Sequence, residues 1–327
     1  MKKPSEFQRA LDPSGHIYRG AVKLAAFLER AFPEDDVLLD RLIVAKSVGM
    51  IAGQRGGGKT WLVILICYAV AGGKNLSPWG HGKKRRVVYL DGEMRAASLQ
   101  NRLKLIHEFN GDPESRECVE ENLLIISRDY MGSTIGSIDT EEGQACIDAL
   151  IPPDVAMIVI DNLSAWTSGG REDSQSWATI KNWLIKKRVK GIAVLLVHHA
   201  GKNGQQQGTS AHEDLLDFSI LLSPLPSDPD KRDTRFSVEH TKLRDYVPEL
   251  RQPHEFSIWF EDGKLRFESA PTGFNSALNV AEMAKLHDEG MSMDAIGDQF
   301  GVSKSTVSRS LRKYREQMQS IIEATDD

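Results

Sequence analysis

The stretch GQRGGGKTWL, Gly53 to Leu62, restricts the fold more than any other part of the sequence. Gly53, four residues, then Gly58-Lys59-Thr60 is the spacing of a phosphate-binding loop. Glycines at Gly53, Gly56, Gly57 and Gly58 let successive backbone N–H groups turn inward and approach phosphate oxygens with no Cβ between them. Lys59 opens a helix whose positive end faces the same anion. Its ammonium group is placed to reach the β- and γ-phosphates, and the Thr60 hydroxyl is placed for Mg²⁺. The flanks agree with this reading. "LIVAKSVGMIAG" predicts a pair of short strands or one bent strand leading in. "TWLVILICYAVAGG" has the apolar density of a buried helix, stopped by Gly72-Gly73. ATP and Mg²⁺ are the expected ligands.

The chain after the loop alternates between two periodicities. "RRVVYLDGEM", "NLLIISRD", "VAMIVIDNLSAW" and "IAVLLVHHAGK" are short, continuously apolar strands. Between them lie the helical patterns "RAASLQNRLKLIHEFNG", "TEEGQACIDALI" and "DSQSWATIKNWLIKKRVKG", the last with Trp177, Ile180 and Leu184 on one face. Such alternation predicts an α/β fold with a mostly parallel sheet covered on both faces. "DFSILLSPL", "TRFSVEHTKLRDY" and a hairpin across Asp262-Gly263 add an antiparallel edge. The pattern becomes wholly helical after "SAPTGFNSALN". The expected organisation is a helical N-terminal segment over residues 1–40, an ATPase core over 41–271, and a linker with a small all-α helix-turn-helix domain over 272–327.

A bound triphosphate needs a second acid on the metal side. Asp161 closes the strand "AMIVID" and is the natural candidate to hold Mg²⁺ with Thr60. Hydrolysis also needs a group to orient or deprotonate water. Glu93 follows the strand "VVYLD", and strand C-terminal ends line the ligand crevice of an open α/β sheet. Asp91 is the competing carboxylate.

The set "AGQRGGGKTWL", "YLDGEM", "IVIDNL" and "LLVHHAGK…GTSAHEDLLD" resembles, in order, the RepA-like branch of the RecA-fold ATPases, which includes hexameric replicative DNA helicases of plasmids. The resemblance spans roughly residues 40 to 250. It implies that Glu93 activates water. It implies that His198 or His199, with a preference for His199, senses the γ-phosphate and couples it to the following loop "NGQQQGTSA". It implies that a Lys-x-Arg pair, here Lys242 and Arg244, completes the active site of a neighbouring subunit. Residues two apart in a strand point the same way, so both cations would face one partner. The resemblance further implies a homo-oligomer, a hexameric ring with single-stranded DNA in its channel. Lys202 adds modest charge to that channel loop, and Arg171 is either a second channel contact or, as the preferred reading, a solvated loop cation. The amphipathic stretch Val22 to Phe32 either packs on a neighbour or caps its own sheet.

The last fifty residues go beyond that branch. "NVAEMAKLHDEGMSMDAIGDQFGVSKSTVSRSLRKYREQM" reads as three helices. Val280, Met283, Ala284 and Leu286 face inward on the first, and Ala295, Ile296 and Phe300 on the second. Val307 and Leu311 do so on the third. Ser292 and Ser303 are N-caps, and Gly301 makes the turn. This resembles the helix-turn-helix of resolvase-like and transcription-regulator domains. Lys304, Ser305, Thr306, Arg309, Arg312 and Lys313 would form its duplex-DNA face. The net charge of −5 confines any DNA-binding surface to local patches. Three separated cysteines, the absence of a membrane-length apolar run and a polar start predict a reduced, cytoplasmic protein with no membrane partner. Two functions fit: a DNA-translocating helicase of a plasmid or other mobile element, or a DNA-bound ATPase switch that oligomerises without unwinding.

Overall fold

The computed structural model describes residues 10–11, 17–18, 22–109, 112–132, 135–168, 174–199, 213–227, 233–245, 247–272, 277–300 and 302–325. The chain divides into two compact units, Met1–Asp35 and Asp36–Asp327. The first unit is less helical than its periodicity predicts. Strands β1 (Ala10–Leu11) and β2 (Ile17–Tyr18) pair antiparallel, and the only helix there among the described residues is α1 (Leu24–Leu28). None of its residues is buried, and Leu24, Phe27, Leu28 and Phe32 stay exposed. A five-residue helix with no buried residue has little to extend it, because nucleation is costly and burial normally supplies the stability.

The second unit opens with β3 (Val37–Leu39) and β4 (Ile43–Val44), an antiparallel pair, followed by β5 (Val48–Gly53) and α2 (Lys59–Gly72). A small hairpin, β6 (Asn75–Leu76) and β7 (Gly80–His81), leads to β8 (Val87–Asp91). Then come α3 (Ala96–Phe109), α4 (Pro113–Asn122), β9 (Leu123–Ser127), α5 (Arg128–Met131) and α6 (Glu141–Leu150). The core continues through β10 (Met157–Asp161), α7 (Ser174–Val189) and β11 (Ala193–His199). It closes with β12 (Phe218–Leu225), β13 (Thr234–Leu243), β14 (His254–Glu261) and β15 (Lys264–Pro271). Helices α8 (Ala277–Asp288), α9 (Met293–Phe300) and α10 (Lys304–Thr325) follow.

One nine-stranded sheet organises the core, in the order β15-β14-β13-β12-β5-β11-β10-β8-β9. The six strands from β12 to β9 are mutually parallel, and β13, β14 and β15 add the antiparallel edge. This is the RecA-like arrangement of a P-loop core. Alternate side chains supply two separate cores. Tyr89, Val159, Leu195 and Val197 face α2 and α3, whereas Leu90, Ile160 and Leu196 face Trp177, Ile180, Trp183 and Leu184 of α7. Both faces are covered, which is why these strands read as unbroken apolar runs. Helix α2 has twelve of its fourteen residues buried, as an all-round apolar helix must. The hairpin between β14 and β15 turns at Asp262 and Gly263, both with positive φ (52° and 73°), the geometry of a two-residue type I′ turn.

Candidate functional site at the strand ends

The parallel register gathers the expected residues at one end of the sheet. Gly53 of β5 lies opposite His199 of β11, and Asp161 of β10 lies opposite Asp91 of β8. Beyond Gly53 the loop turns through Gly56 and Gly58, with φ of 75° and 89°. A Cβ on Gly58 would lie 2.4 Å from the Phe236 ring, and one on Gly53 would lie 2.9 Å from the Leu222 carbonyl. The cradle is therefore closed to side chains by its own neighbours. Lys59 is buried, and its Nζ donates to the carbonyls of Gly53 (2.9 Å) and Gln54 (2.8 Å), folding the ammonium over the loop. Burial lowers its pKa, partly opposed by the nearby Asp161 and Glu93 carboxylates.

Asp161 joins the same cluster. Its carboxylate accepts from the Thr60 hydroxyl and, at 2.7 Å, from the Tyr89 hydroxyl. Burial raises its pKa despite those two donors. A buried carboxylate tied to the P-loop threonine suits a divalent cation, which would supply the missing charge. Tyr89 was not evident in the sequence as a site residue. It sits two positions before the end of an apolar strand and reads there as core.

The two acids at the end of β8 separate cleanly. Asp91 is 1 % exposed, and burial pushes its carboxyl up to about 7. Its Oδ1 accepts from the Met94 N–H, while Oδ2 has no hydrogen-bond partner among the described residues. The Glu93 side chain is 47 % exposed and opens onto the site. Gly92 makes this possible, because its N–H donates to the Asp161 carbonyl (2.8 Å) and a Cβ there would meet Ala165 at 2.7 Å.

Raising Asp91 above its unfolded value means that the folded chain holds this proton more tightly. The associated stability is complete below pH 4 and is lost as pH rises to 7. Asp91→Asn is accordingly expected to stabilise the nucleotide-free chain by about 2–4 kcal/mol at pH 8 and by nothing at pH 4. Thermal melts at the two pH values check this.

Glu93 is not alone. The Nδ2 of Asn162, the residue after Asp161, donates to Glu93 Oε2 and lies 2.9 Å from His199 Nε2. His199 Nε2 is itself 3.5 Å from Glu93 Oε2. Burial and the Lys59 charge lower the His199 pKa, which favours the neutral ring. His198, its neighbour, is buried in the sheet, which leaves His199 as the ring at the site. Asn162 went unnoticed in the sequence, where "IDNL" carries only one acid.

Lys242 lies on β13 opposite Ser219. Arg244 falls one residue beyond the strand, but its N–H still donates to the Asp217 carbonyl at 2.7 Å, and the register shift between Ser219 and Ile220 lies before Lys242. Arg244 is 52 % exposed and pairs with Asp217 at 2.8 Å, and Asp217 also takes the Val48 N–H and the Arg188 guanidinium. Val48 begins β5 and Gly53 ends it. Arg244 therefore sits at the far end of the sheet from its own phosphate loop, about 17 Å away along a strand of this length. Lys202, Arg171 and the loop "NGQQQGTSA" lie outside the described residues.

The C-terminal helices enclose a core of Met283, Ala284, Ile296, Val302, Val307 and Leu311, closed by Ala270 of β15. Ser292 caps α9 through the Ala295 N–H and Ser303 caps α10 through the Thr306 N–H. Ala295 is exposed rather than inward, and Gly297 takes the buried position against Val302. Gly301 lies outside the described residues. Two expected DNA contacts are corrected. Thr306 is 2 % exposed, its hydroxyl turned to Ser303 at 2.9 Å, because it sits beside Val307 on the packed side. Arg309 pairs with Glu268 of β15 at 2.5 Å and its guanidinium lies 5.1 Å over the Trp259 ring of β14, so the sheet edge engages it. Lys304 and Ser305 are exposed, the former paired with Asp294, and Arg312 is exposed. The Lys313 side chain lies outside the described residues. No described helix is long and apolar enough to cross a membrane. Among the described residues no group of three or more His, Cys, Asp or Glu is placed to hold a metal ion.

The AAA domain family matches residues 18–205, more than half of the chain, and the chain belongs to that family. A homeodomain-like domain matches residues 275–318, the three C-terminal helices. Among solved structures, a KaiC-like protein from the hyperthermophilic archaeon Pyrococcus horikoshii is similar at 14 % identity, over 69 % of this chain and 90 % of that one, with a TM-score of 0.44. No curated protein sequence matches. The chain thus joins an AAA-type P-loop ATPase domain to a helix-turn-helix domain of the DNA-binding kind.

Proposed function

We propose that this protein is an ATP-hydrolysing DNA motor, a replicative helicase of the RepA-like type, working as a homo-oligomeric ring and serving a plasmid or other mobile element. The observation that carries the reading is the single cluster at the strand ends, in which Lys59, Thr60, Asp161, Glu93, Asn162 and His199 meet. A cluster with a water-facing carboxylate beside a phosphate cradle is built for turnover, beyond binding alone.

In this reading the Gly53–Thr60 backbone and Lys59 hold the β- and γ-phosphates. Thr60 and Asp161 would hold Mg²⁺, which when bound neutralises charge on the phosphate oxygens. Glu93 takes a proton from the attacking water as the water oxygen bonds to the γ-phosphorus, and the bond from that phosphorus to the β–γ bridging oxygen breaks to release ADP. Neutral His199 donates toward the phosphoryl oxygens and reports their departure. Arg244 of a neighbouring subunit completes the charge stabilisation. Residues of α10 engage duplex DNA, with Lys304, Ser305, Arg312 and Lys313 as the contact set.

A second reading, a DNA-bound switch, is favoured by the Arg309 contact with Glu268, which ties the third helix directly to the sheet. A strand-displacement assay with ATP, run beside the mass of the nucleotide-bound assembly, separates the two. Unwinding by a ring is expected. DNA-stimulated hydrolysis without displacement would replace the motor with the switch. In the same preparations, removing the chain after Thr272 should weaken duplex affinity at low salt at least about tenfold; unchanged affinity would remove DNA from the role of the C-terminal helices.

A further inference from the structure

We propose that Asn162 is a positioning residue that sets Glu93 for water activation and links it to His199. The inference rests on the reading of Glu93 as the group that activates water. It starts from the orientation of one amide. Asn162 is buried, and its Oδ1 accepts from the Ala165 N–H at 3.0 Å. A backbone N–H donates only to an oxygen or another acceptor, so this bond fixes which end of the amide is which. The two N–H bonds of Nδ2 are then left facing Glu93 Oε2 and His199 Nε2. An amide nitrogen donates and does not accept. His199 must therefore offer a bare Nε2 and carry its proton on Nδ1, in agreement with its lowered pKa. Nδ1 has no hydrogen-bond partner among the described residues, which leaves a donor for an anionic ligand.

The arrangement does for Glu93 what the carboxylate cannot do for itself. Glu93 sits in the turn between β8 and α3 with nearly half of its side chain in solvent. Ordering a free glutamate costs side-chain entropy at every turnover. Asn162 removes that freedom by gripping one oxygen, so the other is left for water. It does so from a rigid place, the end of β10, anchored by the 3₁₀ turn Leu163–Trp166 that its own Oδ1 caps. Its second N–H makes the grip depend on His199. When the ring turns toward a phosphoryl oxygen, Asn162 loses one acceptor and the Glu93 carboxylate shifts with it. Asn162 touches no reacting atom; it acts through Glu93.

The decisive variant is Asn162→Asp in the full-length chain. Aspartate keeps the size of the side chain and caps the Ala165 N–H as well as asparagine does, so a purely structural role survives it. It also places an acceptor and a charge where Glu93 needs a donor. Asn162→Ala removes the donor without adding charge. Turnover and the affinity for a fluorescent ATP analogue with Mg²⁺ are measured for both, beside Glu93→Gln and the double variant Asn162→Asp/Glu93→Gln. Both single Asn162 variants should lose kcat on the order of a hundredfold, as a misplaced reacting group does, with nucleotide affinity within about threefold. Asn162→Asp should cost nothing further in the Glu93→Gln background, since the residue it positions has already lost its function. Wild-type kcat in Asn162→Asp while Glu93→Gln is inactive would overturn the inference alone. So would a fully additive double variant, or a loss confined to nucleotide affinity. Normal turnover in Glu93→Gln would instead overturn the reading of Glu93, and this inference with it.

Discussion

Replacing Lys59 by alanine should abolish ATP hydrolysis and leave the chain folded. The two halves of this expectation have separate causes. The ammonium is the only side-chain cation seen to bridge the phosphate loop among the described residues, with bonds to the carbonyls of Gly53 and Gln54 at 2.9 and 2.8 Å. Phe236 and Leu222 close the walls of the cradle beside it. Removing a preorganised charge from a phosphoryl-transfer site costs on the order of a hundred- to a thousandfold in rate. Stability behaves differently. Burial already disfavours this ammonium, as its lowered pKa records, so alanine removes a desolvation penalty along with two hydrogen bonds. The unfolding midpoint should move by only a few degrees. Steady-state hydrolysis beside a thermal melt tests both halves, and hydrolysis at the normal rate would refute the phosphate-loop assignment.

What could be read in advance, and what could not, divides by the range of the interaction. The parallel strands were legible because burial on both faces leaves a continuous apolar run; β10 and β11 each end at a residue of the cluster, and β8 ends two positions before Glu93. The phosphate loop was legible because its glycines are demanded locally, by φ at Gly56 and Gly58 and by close walls at Gly53 and Gly58. Asn162 was not. Its meaning comes from the register of β10 with β8 on one side and β11 on the other, which brings Glu93 and His199 to one amide from 69 and 37 residues away. Tyr89 was hidden in the same way, by a strand in which an aromatic residue is unremarkable. Helical periodicity in the C-terminal helices found Met283, Ile296, Val307 and Leu311. It misjudged Thr306, since polarity suggested an outward residue where the helix turns inward. No local pattern could have shown that Arg309 finds its carboxylate in Glu268, 41 positions earlier. The N-terminal pattern failed for the opposite reason. Its apolar spacing is helical, but among the described residues of its unit the helix covers only Leu24–Leu28 and buries none of its side chains.

Arg244→Ala is expected to retain nucleotide binding and lose most turnover, and the loss should be repairable by a second, differently damaged subunit. The two ends of β5 keep the phosphate loop and Arg244 apart. The phosphate loop leaves Gly53 at one end. Asp217 binds the Val48 N–H at the other and pairs there with Arg244. The guanidinium of one chain thus cannot serve that chain's own triphosphate, and any role in hydrolysis must be across an interface. The pair it forms with Asp217 is half exposed, and such pairs stabilise a fold by at most about 1 kcal/mol, so alanine should not unfold the chain. A cation that stabilises the transferring phosphoryl group is worth roughly a thousandfold or more in kcat. Mixing Arg244→Ala with Glu93→Gln subunits distinguishes this from a local defect. In a head-to-tail ring assembled at random from equal amounts, about a quarter of the interfaces pair an intact Glu93 with an intact Arg244 from the neighbour, and these should recover activity that neither parent shows. Mixed assemblies, verified by mass, that remain as inactive as the parents would return Arg244 to the part its contacts already describe, a surface ion pair with Asp217.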